Sequence, residues 1–191
     1  MDVFIDPLSS SPPLFVFGAG HVGYHVARLA ALVGFQVHVV DDREKFANGD
    51  RFAPPIAFTV EAIPGWIGRH PLPSDGYAVV VTRGHRDDLD TLRGLVGQPL
   101  KYLGLIGSKA KVARLYDALQ AEGCAAAELA RVQAPIGLDI GAITPEEIAL
   151  AIVAELVAVR YGKLDPAPDA NGQIVRSSKW TPSLSAAAPN T

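Results

Sequence analysis

Hydrophobic residues in this chain fall into two patterns: short continuous runs, and stretches with helical spacing. The continuous runs are rich in β-branched and aromatic residues, which is typical of strands covered on both faces. Such runs span residues 14–17, 35–40, 77–82 and 101–106, and a shorter one spans residues 57–61. Apolar residues at helical spacing predict helices after these runs. The predicted helices span residues 22–33, 88–95, 109–120 and 144–161.

The alternation of strands and helices indicates the fold class. Successive strand–helix units with right-handed crossovers predict an α/β fold, a Rossmann-like three-layer domain with a mostly parallel, doubly wound sheet. We predict that this domain spans residues 14–162. Residues 1–13 then form an extended lead-in, and residues 163–191 form a tail rich in Pro, Ala and Ser.

Local signals refine these elements. Three stretches are predicted to be irregular because Gly and Pro interrupt them, at residues 43–55, 64–74 and 135–142. In the second stretch, Trp66 is expected to be buried and to close the core. Gly34 follows the first helix where a left-handed cap belongs. Thr144, Pro145 and Glu147 form a capping box with an N1 proline, which predicts the start of the last helix and gives Glu147 a structural role.

The first strand runs into its helix through three glycines, Gly18, Gly20 and Gly23, with the spacing GxGxxG. In turns of this kind the first glycine allows a tight turn, the second leaves bare backbone for a phosphate, and the third permits close helix packing. We therefore predict an anion-binding turn formed by Gly18, Ala19, Gly20, His21, Val22 and Gly23. A structural strand–helix–strand unit whose glycines serve packing alone is the alternative.

The second predicted strand ends in acidic residues. Asp41 lies 18 residues after Gly23, where a carboxylate that binds a ribose is expected, and Asp42 follows it. Arg43 comes next, and it either suits a 2′-phosphate or is simply solvated. The sequence therefore leaves the choice between NAD and NADP open.

Two later strands also end in polar residues. Because carboxyl ends of parallel strands meet at one edge of the sheet, we expect these residues to face the glycine turn. The candidate ligand-binding residues are Thr82, Gly84, His85, Gly107, Ser108, Lys109 and, on a later loop, Asp139. His85 has the chemistry of a general base, a metal ligand or an oxyanion donor, but no HxH or HExxH spacing supports a metal site. Lys109 and Lys111 form either a solvated first turn or part of this site, and a functional role is favoured because they oppose the dipole of the helix that they begin.

Composition narrows the function classes. At 191 residues, with 49% hydrophobic and 19% charged residues, the chain has the size of one well-packed domain with tails. Its net charge of −3 argues against a non-specific nucleic-acid binder. It contains neither an apolar run of membrane-spanning length nor a signal-peptide pattern, so we expect a cytoplasmic protein. Cys124, the single cysteine, excludes a disulfide framework and is interpreted as a small apolar residue.

The residues alone thus predict a domain that binds a nucleotide-like ligand and carries no evident catalytic machinery. The last helix has apolar residues around most of its circumference, which predicts a deeply buried helix or a homodimer interface. His25, His38 and His70 are interpreted as structural or surface residues.

Five blocks of sequence resemble the C-terminal Rossmann domain of the XdhC/CoxI family, the xanthine dehydrogenase accessory proteins. The resemblance extends over residues 3–162. The blocks are FGAGHVG at 17–23, DDRE at 41–44, TRGH at 82–85, YLGLIGSKAK at 102–111 and PIGLDIGAITPEEIALAIVAE at 135–155. Any one block is weak, but five in the same order are specific.

The resemblance implies an assembly factor rather than a turnover enzyme. Such a protein binds molybdenum cofactor, keeps it available for sulfuration and helps to insert it into a molybdenum hydroxylase of the xanthine dehydrogenase type. The implied partners are that hydroxylase, a cysteine desulfurase and the N-terminal domain found in full-length family members. Either this N-terminal domain is supplied here by a separate polypeptide, or the chain is a single-domain relative. Under this interpretation His21, His85, Ser108, Lys109 and Asp139 contact the pterin, phosphate or oxo groups.

Two other classes remain open at this point. An NAD(P)-dependent oxidoreductase would use the same glycine turn, but it needs a substrate-binding region and a proton donor, for which only His85 or Lys109 is available. A nucleotide-sensing module, like the regulatory domains of potassium uptake, also begins GAG-x-V-G. The blocks at 102–111 and 135–155 speak against the sensing module.

Overall fold

The structure is a computed structural model, and it describes residues 11–165. Its centre is a six-stranded sheet in the order β3-β2-β1-β4-β5-β6, and every pair of neighbouring strands is parallel. The strands are β1 Pro13–Phe17, β2 Gln36–Asp41, β3 Ala57–Val60, β4 Tyr77–Val80, β5 Tyr102–Leu105 and β6 Val132–Gln133. In this order, β2 and β3 are added on one side of β1, and β4, β5 and β6 are added on its other side. The same order is found in dinucleotide-binding domains. The predicted Rossmann-like α/β fold is confirmed.

Within residues 11–165, six helices cover the two faces of the sheet. They are α1 His21–Leu32, α2 Ile63–Arg69, α3 His85–Leu95, α4 Lys109–Ala121, α5 Ala126–Ala130 and α6 Pro145–Arg160. Successive strand residues point to opposite faces. In β1, Leu14 and Val16 therefore pack with α1 and α6, whereas Phe17 packs with the helices of the other face. Two separate apolar cores result, one on each side of the sheet.

Two predicted helix ends have the expected geometry. After α1, Gly34 has a φ of +86°, and the N–H groups of Gly34 and Phe35 donate to the carbonyls of Ala31 and Ala30. These are the paired hydrogen bonds of a Schellman cap. At the start of α6, the Glu147 N–H donates to the Thr144 hydroxyl, and the Glu147 carboxylate accepts from the Thr144 N–H at 3.0 Å. Glu147 therefore has the structural role predicted for it.

Several boundaries differ from the prediction. Residues 64–74 are not wholly irregular, because the short helix α2 occupies Ile63–Arg69 and buries Trp66, which is 4% exposed. Seven residues, two of them glycines, carry too little periodicity to indicate a helix. Residues Ala126–Ala130 form α5, which was not predicted, and α3 begins at His85 rather than at residue 88. Strand β6 has only two residues and was not predicted.

Some predictions fall on residues that the structure does not describe. Residues 1–10 of the predicted lead-in and residues 166–191 of the predicted tail lie outside the described range. Within residues 11–165, no helix is long and apolar enough to span a bilayer. On α6, the side chains of Ile152 and Leu156 are fully buried against α1 and the sheet. Leu150 is 53% exposed on the same helix, and the homodimer stays a prediction.

Candidate functional site

The predicted ligand residues lie at the carboxyl edge of the sheet, where the strand order reverses. There the β1–α1 turn and the β4–α3 turn are neighbours, because β1 pairs directly with β4. The β5–α4 turn follows, because β5 pairs with β4 on its other side. Crevices at this point of open α/β sheets are the usual ligand sites. The fold therefore brings the three predicted polar turns to one edge.

The glycines of these turns have two different roles. Gly18 has a φ of +110°, and a Cβ there would lie 2.5 Å from the carbonyl oxygen of Val81. A Cβ on Gly23 would lie 1.9 Å from the carbonyl oxygen of Gly18. Both residues must be glycine for the turn and the helix to fit against the sheet. Their predicted packing roles match this geometry.

Gly20 and Gly84 are different, because nothing in the fold requires them to be glycine. Their φ angles of −63° and −170° suit any residue, and no atom lies within 4 Å of a Cβ built on either. They are the N-cap residues of α1 and α3, and neither helix has a side-chain cap. Both helix starts thus lack a side-chain cap, but only α1 has a first turn without acidic residues, as an anion-binding site favours, whereas the first turn of α3 contains Asp87 and Asp88.

The Asp41 carboxylate, at the end of β2, holds the backbone of the glycine turn through a hydrogen bond. Its carboxylate is 2% exposed and accepts the Ala19 N–H at 2.7 Å. It also accepts from Arg43, through the backbone N–H at 2.9 Å, Nε at 2.8 Å and Nη2 at 2.7 Å. Burial would raise the pKa of this carboxyl, but the hydrogen bonds from Arg43 and Ala19 outweigh it and lower the pKa.

These four hydrogen bonds occupy the acceptor positions of the Asp41 carboxylate. A ribose hydroxyl would have to displace an Arg43 hydrogen bond to reach it. Arg43, which the sequence left open for a 2′-phosphate, is committed to Asp41 by a two-point contact. Asp42 is the more exposed acid, and its carboxylate lies 3.2 Å from Nη2 of Arg83 across the crevice edge.

Arg51 holds the same turn from the other side, and sequence reasoning missed it. Its Nη2 donates to the Ala19 carbonyl at 3.1 Å. The guanidinium stacks 4.6 Å from the ring centroid of Tyr24 and 5.4 Å from that of Phe46. Its buried Nε has no hydrogen-bond partner among the described residues. The contact joins positions 32 residues apart, so no local pattern could have revealed it.

A fully buried carboxylate, Asp88, lies behind the β4–α3 turn. The Thr82 hydroxyl donates to its Oδ1 at 2.5 Å, and the Lys111 ammonium pairs with its Oδ2. Burial raises the pKa of Asp88, while Lys111 and Thr82 act in the opposite direction. The predicted ligand residue Thr82 is therefore also part of an internal cluster, and Asp88 was not predicted at all.

Most of the remaining predicted residues are exposed, three of them at helix starts on the same edge. His21, His85 and Lys109 are exposed first residues of α1, α3 and α4. Ser108 caps α4 by accepting the Lys111 N–H at 3.3 Å, and Gly107 precedes it. Val22 is partly buried against the core, and Asp139 is exposed on the loop before α6. Within residues 11–165, no group of three His, Cys, Asp or Glu side chains is arranged to hold a metal ion.

Comparison with known proteins decides the family. The model of the XdhC Rossmann domain matches residues 14–156, which is most of the chain. The chain belongs to the XdhC Rossmann-domain family. The resemblance found in the five sequence blocks is thereby confirmed.

Individual relatives agree with this assignment. The chain is 34% identical over 161 residues to the uncharacterised protein YqeB of Escherichia coli K12, covering 84% of this chain and 29% of YqeB. It is 32% identical over 160 residues to a probable xanthine dehydrogenase subunit of Bacillus subtilis 168, covering 83% and 46%. A crystal structure described as a xanthine dehydrogenase from Bacillus halodurans matches with a TM-score of 0.69 and 30% identity, covering 80% and 44%.

The chain thus spans less than half the length of each of these three relatives. Two of these relatives are named for xanthine dehydrogenase. The activities and partners of the longer proteins belong to whole chains of which this domain is one part.

Proposed function

We propose that this XdhC domain binds molybdenum cofactor at the carboxyl edge of its sheet and helps to supply it to a molybdenum hydroxylase of the xanthine dehydrogenase type. The observation that carries the proposal is Gly20, an N-cap glycine that neither backbone conformation nor packing requires. In a family linked by name to xanthine dehydrogenase, such a vacant helix start suits the phosphate of a molybdopterin.

The residues at this edge fit an anionic, hydrogen-bonding ligand. The first turn of α1 offers free amides, contains no acidic residue and has no competing side-chain cap. Asp41 and Arg51 hold the turn in place through the N–H and carbonyl of Ala19, so little ordering would be required on binding. His21, His85 and Lys109 add donors at the same edge. When bound, the cofactor would supply molybdenum and its sulfur chemistry, and the domain would position and shield it.

Partners follow from the proposed role. Transfer of the cofactor requires the recipient hydroxylase, and sulfuration requires a sulfur donor such as a cysteine desulfurase. The relatives are at least twice as long as the region that matches, so an XdhC N-terminal-type domain is a further proposed partner. We include it because a ligand at an open sheet edge is readily enclosed by a second domain.

A nicotinamide dinucleotide is the second candidate ligand, favoured by the strand order and the glycine turn. The saturation of the Asp41 carboxylate by Arg43 and Ala19 counts against it, because the usual ribose contact is already occupied. An NAD(P) oxidoreductase would therefore have to bind the ribose in another way.

The test is a calorimetric titration, under anaerobic conditions, with molybdenum cofactor and in parallel with NAD and NADP. Gly20→Asp is the decisive variant, because an aspartate at an N-cap stabilises a helix yet repels an anionic ligand. We expect it to fold at least as well as the wild type and to lose cofactor binding. Lys109→Ala is expected to weaken binding. Gly49→Asp is the matched control, because Gly49 also has open space around it but lies in the loop after β2.

Each outcome has a distinct meaning. Cofactor binding that Gly20→Asp abolishes and Gly49→Asp preserves supports the proposal. Equal cofactor binding by all variants places the ligand elsewhere, and binding of a nicotinamide nucleotide alone favours the oxidoreductase or sensing classes. Binding of no ligand contradicts the proposal for this domain alone.

A further inference from the structure

Arg83 crosses the crevice of the candidate site, and the proposed binding residues do not include it. It follows β4 and contacts two carboxylates: its Nη2 donates to Oδ2 of Asp42 at 3.2 Å, and its Nε donates to Oδ2 of Asp87 at 3.0 Å. Asp42 follows β2, whereas Asp87 lies in the first turn of α3. Because β1 lies between β2 and β4 in the sheet, the pair formed with Asp42 spans the carboxyl end of β1.

Backbone hydrogen bonds show which part of the chain lies between the two ends of this pair. On one side, the Gly18 N–H donates to the Val40 carbonyl at 2.9 Å. On the other side, the Val81 N–H donates at 2.9 Å to the carbonyl of the residue before Gly18. Each member of the pair comes two residues after one of these contacts, so the two flank the start of the glycine turn. No atom lies within 4 Å of a Cβ built on Gly20, so the space beside this turn is open.

The Arg83 guanidinium can be redirected at little cost. Its side chain is 53% exposed and that of Asp42 is 48% exposed, and ion pairs with this exposure contribute little to stability. A guanidinium has five N–H donors, and the two contacts use one on Nε and one on Nη2. Arg83 can therefore keep its Nε bond to Asp87 while its Nη1 and Nη2 groups turn to another anion. These two groups match two oxygens of a phosphate.

We propose that Arg83 is a phosphate-binding residue of this site and that Asp42 competes with the ligand for its guanidinium. Without a ligand, Asp42 holds Arg83 across the glycine turn. When a phosphate reaches the start of α1, the Nη1 and Nη2 groups leave Asp42 and donate to two of the phosphate oxygens, while Asp87 retains Nε. The inference rests on the proposed function, since it concerns the phosphate of that ligand.

The two carboxylates make this arrangement selective for a strongly charged ligand. Asp42 and Asp87 repel any anion that approaches Arg83, so the ligand must outcompete Asp42 for the guanidinium. A phosphate monoester carries about −1.5 to −2 charges near pH 7 and presents closely spaced oxygens. A free carboxylate has only the charge of Asp42 and lacks the advantage of being attached to the same chain. The competition therefore favours a phosphate over a carboxylate.

The test is titration calorimetry with molybdenum cofactor under anaerobic conditions, and with inorganic pyrophosphate as a probe that has no ring. Arg83→Gln should weaken the binding of both at least about tenfold, because a charged two-point contact is lost. Arg83→Lys should weaken it about fivefold or more, because an ammonium keeps the charge but cannot make that contact. Arg93→Gln is the matched control and should bind as the wild type does. Arg93 also pairs with two carboxylates, Asp90 and Glu122, but it lies in the last turn of α3.

Removal of the competing carboxylate should have the opposite effect. Asp42→Asn should tighten the binding of both ligands about threefold or more, because it releases Arg83 and removes a repelling charge. In the Arg83→Gln background most of this gain should disappear, because Asp42 then has no guanidinium to hold. Long-range repulsion by Asp42 would persist in that background, so the double variant separates competition from general electrostatics. Thermal melts check folding, and if Arg83→Gln fails to fold, Arg83→Lys and its combination with Asp42→Asn carry the test.

The contrary outcomes are distinct. If Arg83→Gln and Asp42→Asn change the affinity in the same direction, the ion pair is only structural and the inference is overturned. Wild-type affinity in Arg83→Lys would overturn the two-point contact, and a full gain from Asp42→Asn without Arg83 would overturn the competition. Cofactor binding that Gly20→Asp abolishes and Arg83→Gln leaves unchanged would overturn this inference and leave the proposed function intact. Binding of neither ligand by the wild type would overturn both.

Discussion

Replacing Asp41 by asparagine tests whether the glycine turn is held by a buried charge. The substitution keeps the size of the side chain but removes its charge and replaces one acceptor oxygen with a donor. Four hydrogen bonds converge on this carboxylate, one from Ala19 and three from Arg43. An amide NH₂ must then face either the Ala19 N–H or an Arg43 N–H, which places two donors against each other.

The structure sets the expected size of the effect. Removing one partner of a buried ion pair costs roughly 3–5 kcal/mol. The Asp41 side chain is 3% exposed, but that of Arg43 is 21% exposed, so water can compensate part of the loss. Asparagine also keeps one acceptor oxygen. We therefore expect Asp41→Asn to lower the free energy of unfolding by about 2–3 kcal/mol.

The assay is urea unfolding of the wild type, Asp41→Asn and the adjacent control Asp42→Asn, followed by far-UV circular dichroism. Asp42 has the same charge, but its side chain is 48% exposed and lies 3.7 Å from Arg43 and 3.2 Å from Arg83. An exposed pair of this kind contributes about 0–1 kcal/mol. The two neighbouring substitutions should therefore differ clearly in their effect.

The pH dependence supplies an independent check. The pKa of folded Asp41 lies below the ordinary value of 3.8, so its stabilising contribution is fully present above that value and is lost as the pH falls through the folded pKa. The stability difference between wild type and Asp41→Asn should be constant near neutral pH and shrink below about pH 3.8. A loss at neutral pH no larger than that of Asp42→Asn, or a difference unchanged in acid, would refute the reasoning.

Substitutions at three other positions test the turn and the last helix. Gly23→Ala should lower the free energy of unfolding by about 3 kcal/mol or more, because its Cβ would meet the Gly18 carbonyl, and a normal melting temperature would contradict this. Gly20→Ala should leave stability within about 1 kcal/mol of the wild type in the same thermal melt; a severe loss would mean that the site is not open. Thr144→Ala should cost about 1 kcal/mol in urea unfolding by removing the cap of α6, whereas Thr144→Ser should not.

Much of the fold was predictable because its signals are local. Continuous apolar runs marked the five strands β1 to β5, and the cap residues Gly34 and Thr144 marked helix ends through their own backbone geometry. The elements that were missed are short. Helix α2 has seven residues and β6 has two, and both exist because the sheet already provides a surface or a neighbouring strand for them. Tertiary packing can override weak local preference at such lengths.

The strand–helix alternation, the glycine turn and the polar residues at the strand ends follow from the amino-acid order alone, because each depends on residues close together in the chain. How those residues are used depends on contacts that form only in the folded domain. Asp41 is committed to Arg43 and Ala19, Arg51 reaches Ala19 from 32 positions away, and Asp88 takes the hydroxyl hydrogen of Thr82. The physical reason is that a hydrogen bond depends on distance in space, and the parallel sheet brings distant strand ends to one edge.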